Sequence, residues 1–194
     1  MAETENEAPG WTAIEAAVAT RVADENPLHW ATNNLPGHGL YGLGAYRSAD
    51  HWLLVTFGMT ELFSKSSDDP DVSGWGYELT MRVPMDDEQP PAWSLRLLER
   101  LVGYVFTSGK SFAEGHRMDP GGPITGEATT RLRAVAFAAD PELPPIDSPY
   151  GSARFLTVVG ITTDELERMK ATTAAAVLSE LAERSPALVT DPAR

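Results

Sequence analysis

The clearest pattern along the chain is at 76–83, where Tyr77, Leu79, Met81 and Val83 alternate with Glu78, Thr80 and Arg82. A period of two sends successive side chains to opposite faces, so this segment predicts a strand with one buried face. Two shorter runs precede it, 43–47 and 52–58, and the polar Ser48–Asp50 between them predicts a hairpin. Helical spacing appears first in Trp11, Ile14, Val18 and Val22, a helix over 11–24 ended by Pro27. It appears again behind Pro90 and Pro91, where Trp93, Leu97, Leu98, Leu101, Val102, Val105 and Phe106 form a broad apolar stripe. Strands are expected at 132–138 and 154–159. Thr162 with Glu165 makes a capping box, so a terminal helix or helix pair begins there and runs to Arg184.

The segments between these elements are loops. Residues 64–74 hold almost nothing a core can use, 109–126 are rich in glycine, and the proline-rich connector 141–149 is expected to run over the surface. The order helix, strands, helix, strands, helix, without a repeat, predicts an α/β chain of mixed α+β type: a single domain with a central mixed β-sheet flanked by helices. Residues 1–10, with three acids and no base, read as a disordered acidic tail, and 11–192 as the domain. The start lacks the basic and apolar regions of an export signal, and the longest apolar run, Ala134–Ala139, falls far short of the roughly 18 residues of a membrane span. A cytoplasmic protein without a membrane partner is expected.

Composition narrows the chemistry. The 194 residues carry 15 Lys and Arg against 28 Asp and Glu, a net charge of −13, which disfavours nucleic acid because such binding rests on basic groups that displace counterions. Zero cysteines exclude disulfides, thiolate metal sites and a cysteine nucleophile. The charge is uneven: residues 61–88 hold Glu61, Asp68, Asp69, Asp71, Glu78, Asp86, Asp87 and Glu88 against Lys65 and Arg82, a net −6 in 28 residues. This stretch reads either as a solvated face that favours solubility, or as an acidic rim steering a basic or histidine-bearing partner beside the aromatic anchors Phe63, Trp75 and Tyr77.

Two phosphate-binding look-alikes fail on context. Gly37, Gly39 and Gly42 spell G-x-G-x-x-G but follow Asn33–Pro36 in place of a strand and lead into a strand in place of a helix. Gly109, Lys110 and Ser111 imitate the end of a P-loop, yet its first glycine position is Tyr104. No nucleotide and no cofactor is expected. His29, His38, His51 and His116 include no i, i+4 pair, so a metal site needs convergence in three dimensions.

The ordered blocks of residues carry a resemblance. His51 through Phe63, a Trp-led strand ending in Glu61, Leu62 and Phe63, is followed by Ser73 through Val83, with Trp75 between Gly74 and Gly76. Pro91-Ala92-Trp93, Tyr104-Val105-Phe106, Ser148 to Gly151, Val159 to Thr162 and Val189-Thr190-Asp191 come next in order. These blocks resemble the suppressor of fused family, in its N-terminal-type domain, over roughly residues 11–192. The resemblance implies a mixed sheet flanked by helices, no catalytic activity, no cofactor, and work done by gripping other proteins. Stand-alone bacterial relatives look like immunity proteins that block a toxin domain. The family's partner-binding region falls here at Phe63 and near Asp69 or Asp71, with Phe63 lacking the hydroxyl of a Tyr. The expected partner-binding set is therefore Phe63, Asp68, Asp69, Asp71, Trp75 and Tyr77, for a protein or extended peptide, with a toxin domain as the finer expectation. The alternative is a metal-assisted hydrolase using His29, His51 or His116.

Overall fold

The computed structural model describes residues 8–32 and 39–194. Gly37 and His38, two of the residues weighed above, lie outside them, as does the acidic 1–7. The elements are α1 (Pro9–Ala19), β1 (Leu28–Ala31), β2 (Gly42–Arg47), β3 (His51–Phe57), β4 (Val72–Pro84), α2 (Ala92–Ser108), β5 (Arg117–Met118), β6 (Leu132–Ala139), β7 (Ile146–Ser148), β8 (Gly151–Thr162), α3 (Thr163–Ala171) and α4 (Ala174–Arg184). The strands form one sheet in the order β1-β2-β3-β4-β8-β6-β5, with β7 against β8, and every pairing is antiparallel except β4 with β8. That is the mixed sheet with flanking helices anticipated above.

Three layers result. Leu79, Met81 and Val83 of β4, with Trp52, Leu54, Leu156 and Phe137, pack beneath Leu98, Val102 and Val105 of α2. On the other face α1 covers Leu53, Val55 and Phe57 through Ile14 and Val18. At the far side of that face α3 and α4 cover Ala134, Ala136, Val159 and Ile161. Small alanines on β6 let those helices approach closely. The hairpin turn forms as expected, with Ser48 N–H donating to the His51 carbonyl. The capping box is complete, since the Thr162 side chain accepts from Glu165 N–H and the Glu165 carboxylate from Thr162 N–H.

Several boundaries differ from the sequence reading. Helix α1 starts at Pro9 and stops at Ala19. Residues 9–10 are therefore ordered rather than tail: Gly10 is buried, donates to the Leu62 carbonyl at 3.0 Å, and leaves no room for a Cβ, which would stand 2.0 Å from the Glu61 carbonyl oxygen. Strand β4 begins at Val72, inside the expected loop. The proline-rich connector contributes β7 and buries Leu143. Strands β1 and β5 were not anticipated.

The largest correction concerns β4 itself. Both of its faces are buried: Glu78 is 1% exposed, and Thr80 and Arg82 are fully enclosed. Its polar residues lie on the face opposite α2, where buried charges persist only when paired or hydrogen-bonded. Arg82 donates to both oxygens of Asp140 at 2.8 and 2.9 Å and to Glu142 at 3.0 Å, while Thr80 donates to Asp140 at 2.5 Å.

Candidate functional site

Beyond the end of β3 the chain turns at Gly58 (φ 128°), where a Cβ would collide with the Gly39 carbonyl at 2.2 Å, so only glycine makes this corner. Residues 58–67 then wrap over the start of β4. Two carboxylates hold them there. Glu78 accepts from Thr56 Oγ1 (2.6 Å), Gly58 N–H (3.0 Å), Met59 N–H (3.4 Å), Thr60 N–H (2.9 Å) and Thr60 Oγ1 (2.7 Å). Glu61 accepts from Ser66 N–H, Ser66 Oγ (3.0 Å), Ser67 N–H (2.6 Å) and Gly74 N–H (3.2 Å), and pairs with Lys65 Nζ at 3.0 Å. Lys65 also donates to the carbonyls of Val72 and Tyr150.

The electrostatics of the two differ. Burial pushes the Glu78 carboxyl above the usual range, with the Thr56, Thr60 and Gly58 donors offsetting part of that effect. For Glu61 burial acts the same way, but the donors from Ser66 and Ser67 and the Lys65 ammonium outweigh it and bring the carboxyl down to about 2.

The loop so held forms one wall of a groove of about 590 Å³. Two aromatic pairs line it. Tyr41 and Phe63 meet edge to face with centroids 5.0 Å apart, and Trp75 meets Phe106 of α2 in the same way at 5.8 Å. Tyr41 is 42% and Phe63 45% exposed, an unusual investment of apolar surface in solvent. Phe63 is fixed through its backbone, whose carbonyl accepts from the Tyr150 hydroxyl at 2.6 Å. The groove floor is thus stiff and its rings accessible, the arrangement of a docking site for an apolar anchor.

The expected site residues divide. Phe63 and Trp75 meet in this groove. Asp68, Asp69 and Asp71 are exposed on the neighbouring loop, where Asp69 accepts from Asp71 N–H and the Asp71 carbonyl accepts from Ser152. Tyr77 is no anchor: it is 1% exposed in the core, its hydroxyl accepting from Phe112 N–H at 3.0 Å. Glu61 and Glu78 are internal staples rather than part of an acidic rim. Asp86, Asp87 and Glu88 lie beyond the other end of β4. Tyr41 and Phe106 were not among the expected site residues: Tyr41 lies beside the glycines of the G-x-G-x-x-G look-alike, and Phe106 belonged to the apolar stripe of the second helix.

Among the described residues the histidines do not converge. His29 sits on β1 and His116 beside β5, at opposite edges of the sheet, and His51 is bound to Asp50 at 2.8 Å. Among the described residues no group of three or more His, Asp or Glu side chains is placed to hold a metal ion, so these residues offer the metal-assisted alternative no site. Among them, too, no helix is long and apolar enough to cross a membrane.

Residues 39–194 match the family described as Suppressor of fused protein (SUFU). The chain belongs to the suppressor of fused family. It is 31% identical over 126 residues to the human (Homo sapiens) Suppressor of fused homolog, covering 60% of this chain and 25% of that protein, and the mouse (Mus musculus) homolog gives the same figures. The match thus spans a quarter of the length of these relatives. The chain in the Sufu–Fu complex crystal structure superposes with a TM-score of 0.87 at 27% identity, over 96% of this chain and 91% of that one. Drosophila Suppressor of Fused superposes with the same TM-score at 26% identity, over 100% of this chain and 53% of its own. A homolog from Neisseria gonorrhoeae shares the fold, with a TM-score of 0.59 at 13% identity over 89% of this chain and 88% of that one.

Proposed function

We propose that this domain is a noncatalytic protein-binding module that seats a segment of a partner protein in the Tyr41–Phe63–Trp75–Phe106 groove. The observation that carries this reading is the exposure of two aromatic rings over a floor made rigid by Glu61 and Glu78. Rigid aromatic anchors contribute contact area at little cost in conformational entropy. The carboxylates of Asp68, Asp69 and Asp71 at the margin favour a basic or histidine-bearing flank on the partner. A relative's structure in complex with Fu supports a binding role for this fold. The proposed setting is the cytoplasm, and nucleic acid is not the partner, as the −13 charge argues.

The finer form of the proposal is an immunity role, in which the partner is a toxin domain. What supports it is the resemblance to stand-alone bacterial relatives. Affinity capture with the wild-type chain, followed by identification of the retained proteins, tests the coarser reading. A retained protein lost on Phe63→Ala and weakened by Asp71→Ala is expected. No retained protein, or one indifferent to Phe63→Ala and Trp75→Ala, refutes it. Growth of cells expressing the captured partner, with and without this chain, then separates an immunity protein from other binders.

A further inference from the structure

A second groove, of about 410 Å³, lies where β4 ends and α2 begins. Trp75 and Pro84 stand nine residues apart on β4, about 30 Å at the rise of a strand, so this groove is separate from the aromatic one. Its walls are Pro84, Pro90, Pro91 and Pro192, with Trp93 at the first turn of α2 and Asp86 and Asp87 at the rim.

The charge of this lining is one-sided: Asp86 and Asp87 are its only charged side chains, while the prolines contribute no N–H and Gln89 carries a neutral amide that both donates and accepts. No Lys or Arg lines it, and Asp86 and Asp87 pair with no cation among the described residues, although Asp87 caps its own turn by accepting from Glu88 N–H at 2.7 Å. Trp93 is partly buried, and among the described residues no cation lies over its ring. Proline walls with fixed φ keep the groove open without a partner, and an indole beside carboxylates is a receptor for a planar, donor-rich cation. An anionic occupant would be repelled by the two carboxylates.

We propose that this groove is a second docking surface, which takes an arginine side chain of an extended, basic segment of a partner protein. The guanidinium stacks on Trp93 and donates to Asp86 and Asp87, while neighbouring apolar residues of the segment lie against the prolines. This surface accounts for the part of the 61–88 charge that the aromatic groove leaves unused.

The test is titration of the whole chain with the blocked peptide acetyl-Pro-Arg-Pro-Arg-Pro-amide at physiological salt, read at the tryptophan indole N–H signals by NMR. A saturable shift of the Trp93 signal is expected, at least about tenfold weaker in Asp86→Asn/Asp87→Asn and absent when both peptide arginines are replaced by glutamine. Trp93→Phe, which removes the reporter indole and is read instead at the backbone amides of residues 86–93, should weaken binding by less than Asp86→Asn/Asp87→Asn does. Unchanged affinity in Asp86→Asn/Asp87→Asn, equal binding of the glutamine peptide, or a shift at Trp75 in place of Trp93 overturns the proposal. Because both aspartates are exposed in a loop, the double variant folds and the result is readable. Phe63→Ala leaves this titration unchanged, so its failure and that of the aromatic groove are distinguishable.

Discussion

Glu78 and Arg82 lie four residues apart on the same face of β4, both shut away from water, and they are satisfied in opposite ways. Arg82 meets full charges, Asp140 beneath it and Glu142 beside it. Glu78 meets only dipoles, five N–H and O–H donors from residues 56–60. The ion pair ties the 140–143 segment to the sheet, with Asp140 also accepting from the Glu142 and Leu143 amides at 2.9 Å. The dipole cradle ties down the corner that carries the aromatic groove. Charge placed against charge lowers the Asp140 carboxyl despite its burial, because the Arg82 hydrogen bonds and charge exceed the desolvation cost. Dipoles alone leave desolvation dominant at Glu78. One strand thus carries one staple that burial leaves ionised and another that burial pushes toward its protonated form.

The largest effect that separates the two is expected from Arg82→Met. It leaves Asp140 buried without its counter-ion and should cost about 3–5 kcal/mol in urea unfolding. Adding Asp140→Asn should recover part of that loss; if it recovers nothing, the charge of Asp140 is not the source. Next comes Glu78→Gln, which keeps the shape but turns an amide toward the donors and should cost about 2 kcal/mol. Its signature is local: faster hydrogen exchange at the Gly58, Met59 and Thr60 amides, with those of Glu142 and Leu143 unchanged. Arg82→Met should reverse that pattern.

The pH dependence sharpens the comparison. Glu78 holds its proton more tightly in the folded state than in the unfolded chain, so its contribution to stability is greatest below the ordinary value of 4.5 and declines as pH rises through its elevated folded value. Asp140 and Glu61 have depressed values and contribute the opposite limb. Their stability is present above the ordinary values of 3.8 and 4.5 and is lost on acidification, for Glu61 as pH falls toward about 2. Melting temperatures between pH 2 and 8 should therefore rise and then decline, with Glu78→Gln flattening only the upper limb and Glu61→Gln reducing only the lower. The smallest effect is Phe63→Ala: with its side chain nearly half exposed and outside the core, stability should fall by no more than about 1 kcal/mol while partner capture is lost.

The same strand shows how far residue patterns reach. Alternation from Tyr77 to Val83 marks a strand and its direction, yet it separates apolar from polar, not buried from exposed. Glu78, Thr80 and Arg82 are enclosed because their partners arrive from far along the chain: Gly58 and Thr60 from about 20 residues before, Asp140 from about 60 after. No local window contains them. The site was legible in the same proportion. Phe63 and Trp75 stood out as aromatics in polar surroundings, and they do line the groove. Tyr77 carried the same signal and is core, because strand register and not composition decides which side α2 covers. Tyr41 and Phe106 gave no signal, since each gains its meaning only when β2 and α2 bring it to the end of β4.

What the chain by itself determines is short in range: the helices set by apolar spacing, the hairpin at Ser48–Asp50, the Thr162–Glu165 cap, and the family to which its ordered blocks belong. The helices, hairpin and cap rest on contacts a few residues apart, where hydrogen bonding and side-chain period act without reference to the rest of the molecule, whereas the family rests on the order of blocks along the sequence. The tertiary structure alone decides that two glutamates of an acidic stretch are internal staples, that the remaining carboxylates separate to the two ends of β4, and that four aromatics from four segments share one groove. Those outcomes depend on burial, which is a property of how distant segments close over one another and not of any one of them.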